Sequence, residues 1–363
     1  MIAAHALVFL CAVVCGCAAV PAPTPAFTYE PLPAMPEEIG VSGYSAGVVE
    51  GQLVVVGGNN FPSAPPWAGG ERQHYDTIRW LDLERRTWRS GATPFPIKVS
   101  YAAAGTLGGA LIITGGATPA GLSARTFALW GNEANTTLRE LSPLPVALSH
   151  AGSVVIGERV YIVGGLLANG ESTDRGWSGK LNASRDAMEW AELPPLPGPA
   201  RHLAVVGTDG TRLFVFSGMR SRRSPSGSVT LEKPYLRDAY VLELGSGDRG
   251  VWCPLPDLPT PVAAAPGPAA YLPSLSTFFI FGGLAGDDVG LPLDNYPPFT
   301  TAIQTYAVRE TAWHRRETAL PVAHSRVTAS LVPWREGFIL FAGEIAPGKR
   351  SNQGVFIRVG VSK

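Results

Sequence analysis

The stretch "FFIFGG" (residues 278–283) sets four large apolar residues directly before two glycines. The same pattern, an apolar run followed by two small residues, occurs at six places along the chain. The other five copies are "LVVVGG" (residues 53–58), "LIITGG" (111–116), "VYIVGG" (160–165), "LFVFSG" (213–218) and "FILFAG" (338–343). Successive copies are 49 to 65 residues apart. Repetition at this spacing indicates a repeat architecture in which each copy is one supersecondary unit.

A second landmark follows each of the first five copies. It is an apolar residue, mostly tryptophan, that precedes a proline-containing segment such as "PFP" or "PLP". The five residues are Trp88, Leu138, Trp190, Trp252 and Trp313. Glycine doublet and tryptophan together resemble the kelch repeat, whose unit is one four-stranded propeller blade.

The resemblance predicts an all-β, six-bladed kelch-type β-propeller over residues 27–363. We interpret each apolar run as the inner strand of a blade, buried on both faces, and each tryptophan as part of the outermost strand, packed between blades. Residues 354–363 supply a third strand for the last blade but no outer one. "FTYEPLPAMP" (residues 27–36) is predicted to complete that blade and close the ring.

Composition agrees with this prediction and limits the partners. Glycine and proline, at 42 and 33 residues, are abundant, which favours a turn-rich β architecture over helices. Acidic and basic residues balance at 29 each and form no long basic run. A nucleic-acid partner is therefore not expected.

The N-terminus is predicted to direct export. Residues 1–17 form an apolar segment too short to span a bilayer, and residues 18–26 are a Pro/Ala-rich linker. The segment ends in a pattern that resembles the bacterial lipobox, with Cys17 as the lipidated residue; cleavage near Ala22 without lipidation is the alternative. We expect a periplasmic or extracytoplasmic protein, with lipid attachment to the outer membrane if Cys17 is modified. Cys253 is then the one cysteine left, and no intrachain disulfide can form.

Polar residues cluster in the segments that enter the first strands of several blades. Tyr101 in "VSYAAAG", His150 in "LSHAGSV", His202 in "PARHLAV" and Arg326 in "HSRVTAS" are the examples. Such segments gather at one face of a propeller, so these side chains are predicted to point to a common mouth. Each histidine can equally be an ordinary loop residue.

The loop after the sixth doublet differs from the other five. "GEIAPGKR" (residues 343–350) is short, and Pro347 with Gly348 can reverse the chain and return Arg350 towards Glu344. A carboxylate beside a guanidinium can move a proton while the cation holds an anion. The alternative interpretation is an ordinary surface salt bridge.

Two segments are similar to bacterial N-acetylneuraminate epimerases, also called sialic acid mutarotases. "GEIAPGKRS" (residues 343–351) resembles the glutamate and arginine loop of that family, and "GGNNFPSAPPWAGGERQHYDTIRWLD" (residues 57–82) resembles its "GGANFP" blade. The order of the two blades matches the cyclically permuted branch. Asn59 departs from the alanine of "GGANFP", and Arg72 stands where that branch tends to have lysine.

The resemblance implies an isomerase that interconverts the α and β anomers of free sialic acid, a small acidic sugar, by acid/base ring opening. Glu344 and Arg350 match the pair regarded as catalytic in the family. The implied substrate contacts are Arg326, His202, Arg72 and Arg237, the last if the insertion "MRSRRSPSGSVTLEKPYLRD" (residues 219–238) covers the mouth rather than forming a solvated loop. No metal or cofactor is required, and a homodimer is compatible with the resemblance.

Two other functions remain open, and a third class is disfavoured. A non-enzymatic kelch glycan-binding or adhesion module would use "GEIAPGKR" merely as surface. A sialidase is suggested by "SGDRGVW" (residues 246–252), which looks like a single degenerate Asp-box turn. A galactose-oxidase type copper enzyme needs a cysteine crosslinked to tyrosine and two histidine ligands, and Cys253 is misplaced for this because the repeats put it on an outer strand.

Overall fold

The computed structural model describes residues 25–38, 40–224, 226–245, 250–286, 292, 296–315 and 319–361. The predicted signal peptide with Cys17, and residues 246–249 of the "SGDRGVW" stretch, lie outside these residues. Six antiparallel sheets of four strands each form the body of the molecule. The protein is an all-β, six-bladed β-propeller, as the six repeats predict.

The first three blades follow one another along the chain, each running from its innermost to its outermost strand. Blade 1 has the strands Ser45–Val49, Gln52–Val56, Ile78–Asp82 and Thr87–Ser90. Blade 2 has Ala103–Leu107, Ala110–Thr114, Thr126–Trp130 and Thr137–Leu141. Blade 3 has Gly152–Ile156, Arg159–Val163, Gly176–Leu181 and Met188–Glu192.

The other three blades repeat this plan, except that the last one ends with the N-terminal strand. Blade 4 has Val205–Thr208, Leu213–Gly218, Leu236–Glu243 and Val251–Leu255. Blade 5 has Ala270–Leu272, Thr277–Phe281, Ile303–Ala307 and Ala312–Arg315. Blade 6 has Leu331–Trp334, Gly337–Phe341, Gly354–Val361 and Pro25–Leu32.

Short elements decorate the loops on the face where the second strands end. Five ribbons of two short strands are Asn59–Asn60 with Gln73–His74, Ala117–Thr118 with Gly121–Leu122, Ser221–Arg223 with Val229–Leu231, Val262–Ala263 with Leu284–Ala285, and Glu344–Ala346 with Lys349–Arg350. The 3-10 helices among the described residues are Pro66–Ala68 and Val322–His324. No helix in this part of the chain has the length and hydropathy needed to cross a membrane.

The apolar runs form the second strand of each blade, not the innermost one. In blade 1, for example, Gln52–Val56 lies between Ser45–Val49 and Ile78–Asp82, and four of its five residues are buried. A strand in this place packs against both neighbouring blades, which explains the unbroken apolar sequence. The innermost strand of blade 1 alternates buried and partly exposed residues, and consecutive residues of it, Ala46 to Val48, line the axis.

The N-terminal strand closes the ring as predicted. Pro25–Leu32 pairs with Gly354–Val361 in an antiparallel register from Pro25 opposite Val361 to Leu32 opposite Gly354. It begins at Pro25, so the last two residues of the predicted linker belong to the strand. Tyr29, opposite Ile357, stands at the register position that tryptophan has in other blades, and Phe27 lies edge-on to Phe279 and Phe281 of blade 5, with ring centroids 5.4 and 5.6 Å away.

The repeated tryptophans tie neighbouring blades together. Each lies on an outermost strand, and its indole N–H donates a hydrogen bond to a backbone carbonyl that follows the outermost strand of the preceding blade. The four bonds run from Trp88 to Pro33 (2.8 Å), Trp190 to Ser142 (3.1 Å), Trp252 to Pro194 (2.9 Å) and Trp313 to Pro256 (2.8 Å). Cys253 also lies on an outermost strand, as the repeat register predicts.

The doublets turn the chain with left-handed backbone angles. In blade 3, Gly165 has φ +116°, and a Cβ at this position would lie 2.7 Å from the side chain of Leu148. Both the backbone angle and the contact require glycine there. The first doublet position is less demanding: Ser217 and Ala342 occupy it with φ of 55° and 46°, inside the left-handed region that other residues can enter at a cost.

A closed ring of six backbone hydrogen bonds surrounds the axis at the entrance to the innermost strands. Each blade contributes one residue, whose N–H donates to the carbonyl of its counterpart in the preceding blade at 2.5 to 3.0 Å. We call this set the axial ring. Its members are Gly43, Tyr101, His150, Leu203, Ala264 and Thr328, all with φ between 51° and 61°.

A channel of about 870 Å³ runs along the axis below the axial ring. Small residues of the innermost strands line much of it, among them Ala46, Gly47, Ala104 and Gly105. Neither Glu344 nor Arg350 contributes to this lining. The acid and guanidinium that the sequence singles out therefore lie outside the channel, on the face beyond the ring.

We predict that Trp190→Phe lowers the free energy of unfolding by about 1 kcal/mol more than Trp130→Phe does. The first change removes the hydrogen bond to the Ser142 carbonyl, whereas the indole N–H of Trp130 is buried without a partner among the described residues. Urea denaturation of the two variants measures the difference. Equal losses would mean that packing alone, and not the bond between blades, accounts for the tryptophan.

Candidate functional site

The loop after the sixth doublet is a tight hairpin that places its acid opposite its arginine. Glu344–Ala346 pairs with Lys349–Arg350, and Glu344 and Arg350 are cross-strand partners in the register. Gly348 makes the turn with φ +68°. A backbone bridge from Val327 to Glu344 anchors the hairpin one residue from Thr328 of the axial ring, so the pair lies beside the mouth.

Arg350 is held almost completely out of solvent, with a side chain 2% exposed. Its Nε donates to Ser42 Oγ at 3.0 Å and its Nη2 to Asn59 Oδ1 at 3.3 Å, and its guanidinium lies 4.7 Å from the Phe61 ring centroid. Asn59 is the departure from "GGANFP" noted above, and an alanine there could not make this contact. Nη1 of Arg350 has no hydrogen-bond partner among the described residues, so the guanidinium has an unused donor.

Glu344 is also mostly buried, with its side chain 16% exposed. Oε1 accepts the Gly348 N–H at 2.7 Å, while Oε2 lies 3.4 Å from Nη2 of Arg350, a loose contact for an ion pair. Burial raises the pKa of Glu344 above its ordinary value; the charge of Arg350, the Gly348 N–H and the charge of Arg72 oppose the rise. The carboxyl group is thus shifted towards the range in which it can exchange protons near neutral pH.

Arg72 brings a second guanidinium to the same place, but an exposed one. It lies 5.4 Å from the centroid of the Phe61 ring and 5.9 Å from that of Tyr101. Its charge lowers the pKa of both Glu344 and His150. The structure therefore brings three of the predicted site residues, Glu344, Arg350 and Arg72, into one cluster around Phe61.

Aromatic contacts continue from this cluster around the mouth. The rings of Tyr101 and His150 stack with centroids 4.0 Å apart and planes at 19°, and His150 meets His202 edge-on at 6.4 Å. Gly43 allows the stack, because a Cβ there would lie 2.6 Å from the Tyr101 ring. We name this chain of contacts the mouth arc: Arg350, Phe61, Arg72, Tyr101, His150 and His202.

The histidines of the mouth arc are neutral at physiological pH. Burial, aided by the nearby His202 and Arg72, lowers the pKa of His150 to about 3, and burial lowers the pKa of His202 to about 4. Serine hydroxyls hold Nδ1 of each ring, Ser149 at 2.8 Å from His150 and Ser172 at 2.9 Å from His202. His202, predicted as a substrate contact, therefore faces the mouth as an uncharged group with a fixed orientation.

Arg326 does not join the cluster, although it was predicted as a substrate contact. It is 1% exposed, and its guanidinium donates to the backbone carbonyls of Ala342, Gln353 and Ala323 at 2.7 to 3.0 Å. Burial lowers its pKa to about 10. Its counterpart in blade 4 is Arg201, since each of the two arginines stands two residues before the axial-ring member of its blade. These contacts make Arg326 a structural cation beneath the loops.

Arg237 also lies apart from the cluster. It is exposed on the third strand of blade 4, across the propeller from the junction of blades 6 and 1, and its Nε donates to the Leu258 carbonyl at 2.8 Å. The insertion of residues 219–238, for which the sequence left both a cover over the mouth and a solvated loop open, contains the ribbon Ser221–Arg223 with Val229–Leu231. Arg223 fastens this ribbon to blade 3, with Nη2 donating to the Asn169 carbonyl at 2.6 Å.

Sequence reasoning missed the residues of blade 1 that hold Arg350. Ser42 and Asn59 are separated from Arg350 by most of the chain. Phe61 belongs to the segment that resembles "GGANFP", but the sequence does not indicate that it contacts Arg350. Tyr101 and His150 were recognised as strand entrances but not as a stack. Across the described residues, no three His, Cys, Asp or Glu side chains come close enough to hold a metal ion.

Comparison with known proteins adds to this geometry. Residues 40–94, which span blade 1, match the sequence profile of the Kelch motif. Blade 1 carries a kelch repeat. No curated protein matches the chain. The solved structure of YjhT aligns with a TM-score of 0.65 over 92% of this chain and 99% of its own, at 16% identity. At that identity the likeness establishes a shared propeller fold and nothing about chemistry.

We predict that Glu344→Gln raises Tm at pH 7 and has no effect near about pH 4. Because the pKa of Glu344 is raised in the folded protein, its ionisation opposes folding: the penalty is absent below the pKa of the unfolded chain and complete above that of the folded one. Glutamine never ionises. Scanning calorimetry across this pH range tests the prediction.

Glu192→Gln is the matched control for this experiment. A hydrogen bond from Arg175 lowers the pKa of Glu192, so its ionised form favours folding and its replacement should lower Tm slightly at pH 7. A lower Tm for Glu344→Gln at pH 7 would show that pairing with Arg350 outweighs the burial of the carboxylate.

Proposed function

We propose that the protein is a mutarotase of acidic 2-keto sugars, with N-acetylneuraminate as the model substrate. The observation that carries the proposal is the buried pair at the junction of blades 6 and 1: a carboxyl group with a raised pKa beside a guanidinium with an unused donor. The resemblance of residues 343–351 and 57–82 to the epimerase loops supports it, since both segments meet at this pair.

The reaction needs a group that can accept and return one proton. Glu344 as carboxylate takes the proton of the anomeric hydroxyl and returns it to the ring oxygen as the bond between C2 and that oxygen breaks, which regenerates the carboxylate. The open 2-keto form turns about the bond between C2 and C3 and recloses on the opposite face of the carbonyl, with the proton movements reversed. Atoms and charge balance, and no redox partner takes part.

Arg350 supplies the fixed positive charge for the sugar carboxylate. Its Nε and Nη2 are held by Ser42 and Asn59, so the guanidinium is fixed rather than free to rotate, and Nη1 is buried without a partner among the described residues. Arg72, exposed and stacked on the same Phe61 ring, provides a second cationic contact at the mouth. Two guanidinium groups around one aromatic ring favour an anionic ligand over a neutral sugar.

We predict that Glu344→Gln slows the protein-dependent equilibration of α-N-acetylneuraminate about 10²- to 10⁴-fold, the usual contribution of a general acid/base. Binding should stay within about threefold of wild type, since glutamine keeps the shape and the Gly348 contact. Proton NMR at C3 of freshly released sugar measures the rate, after subtraction of the spontaneous reaction, and calorimetry measures the affinity.

Three outcomes separate the alternatives. Equal equilibration rates with and without wild-type protein would exclude the mutarotase. Binding without acceleration would favour a non-enzymatic glycan-binding module. Release of sugar from a sialyl glycoside would favour a sialidase.

We also predict that kcat/KM falls as the pH is lowered through the raised pKa of Glu344, because only the carboxylate accepts the hydroxyl proton. Arg72→Gln should move this acidic limb to higher pH, since the charge of Arg72 lowers the pKa of Glu344. Lys349→Gln, an exposed change in the same hairpin, serves as the control and should leave the limb in place. If the acidic limb of kcat/KM in Arg72→Gln does not move, or moves to lower pH, the assignment of this limb to Glu344 is wrong.

A further inference from the structure

At the end of the mouth arc farthest from Arg350, two imidazole rings each have one nitrogen that makes no hydrogen bond to the described residues. Ser149 and Ser172 engage Nδ1 of His150 and His202. Neither Nε2 has a hydrogen-bond partner among the described residues, and neither belongs to the polar atoms that are sealed from solvent without one. Both Nε2 atoms are thus oriented and without a partner in this part of the chain, and neither is fully sealed from solvent.

The hydrogen bonds around Ser172 determine which tautomer His202 adopts. Ser172 Oγ accepts the backbone N–H of Ser221 at 2.8 Å, and its only other contact within the described chain is Nδ1 of His202. The hydroxyl proton therefore goes to Nδ1, and we assign the ring proton of neutral His202 to Nε2. His202 presents an uncharged N–H donor to the mouth.

The insertion in blade 4 keeps this donor in place. Ser221, which donates to Ser172, is the first residue of the ribbon Ser221–Arg223 with Val229–Leu231. The backbone N–H of Arg223 donates to Glu171 at 3.0 Å, next to Ser172. Ribbon, Ser172 and His202 form one connected unit, which gives the insertion a positioning role at the mouth.

We propose that His202, with His150 beside it, is a second subsite that binds an uncharged oxygen-bearing substituent of the sugar whose carboxylate is held at Arg350. The inference rests on the proposed function for the position of the carboxylate. The substituent is an N-acyl carbonyl or a hydroxyl of the distal part of the sugar. The ligand class is a singly anionic, N-acylated or polyhydroxylated sugar acid.

The placement of charge around the mouth arc supports this division of roles. The two guanidinium groups of the arc lie at its blade 1 end, around Phe61. At the other end Tyr101 stacks on a neutral His150, which in turn contacts a neutral His202. A neutral N–H donor satisfies a carbonyl or hydroxyl oxygen without offsetting a second negative charge, so the far end suits a neutral group better than a phosphate.

The test compares two ligands that share the carboxylate but differ in the distal part. N-acetylneuraminate carries an N-acetyl group and a glycerol chain, whereas 2-ketogluconate, a six-carbon 2-keto sugar acid, has neither. We expect His202→Ala to weaken the binding of N-acetylneuraminate about tenfold, as the loss of one well-placed hydrogen bond does, and to leave 2-ketogluconate within about twofold of wild type. Isothermal titration calorimetry measures both affinities.

Two further variants separate recognition from folding. His202→Gln, which can place an amide N–H near the position of Nε2, should restore most of the affinity for N-acetylneuraminate. His314→Ala, on the outermost strand of blade 5, removes an exposed histidine paired with Glu310 and should bind both ligands as wild type does.

Each result decides the proposal. Equal weakening of both ligands in His202→Ala, no weakening of either, or a wild-type protein that binds neither would overturn the subsite. If wild type accelerates anomer exchange but His202→Ala binds like wild type, the subsite is wrong and the proposed function stands. If wild type binds as expected without acceleration, the proposed function is wrong and the subsite stands.

Discussion

The axial ring of six backbone hydrogen bonds is the constraint on which the rest of the structure depends. To join it, one residue of every blade adopts a left-handed backbone, which costs a residue other than glycine about 1 to 2 kcal/mol. Only Gly43 escapes this cost. The ring compensates by satisfying a donor and an acceptor of each blade at the axis, where strand edges would otherwise lack partners. It also holds Tyr101 and His150 in neighbouring blades, so their rings stack as part of the same arrangement that closes the propeller.

The acid and guanidinium depend on closure in a second way. Arg350 belongs to the last blade, yet Ser42 and Asn59, which hold it, belong to the first; Ser42 is 308 residues away in sequence. Their meeting requires the last blade to dock on the first, and the strand Pro25–Leu32 completes that last blade. A site at this junction gains residues from two blades without a long loop. The same docking removes Arg350 from solvent, strengthening its attraction for an anion.

The repeats predicted the fold because each repeated feature meets a structural requirement within its own blade. An apolar run, a left-handed doublet and a tryptophan with a carbonyl partner recur in nearly every blade. The hairpin with Glu344 and Arg350 was also predictable, because both residues lie on one short turn. The role of Arg326 was not predictable. A cation in the segment that enters a strand gives the same sequence pattern whether it contacts a ligand or, as here, three backbone carbonyls. The partners of Arg350 and His202 were hidden for a similar reason, since they come from other blades and are ordinary serine, asparagine and phenylalanine residues.

The direction of the closing strand fixes how the propeller is presented to its surroundings. Leu32 pairs with Gly354 near the hairpin of Glu344, whereas Pro25 pairs with Val361 at the opposite face. Pro25, where the described chain begins, therefore lies on the side of the domain away from the mouth arc. The mouth and this end of the chain occupy opposite faces, so a ligand approaching the mouth does not meet the end of the closing strand.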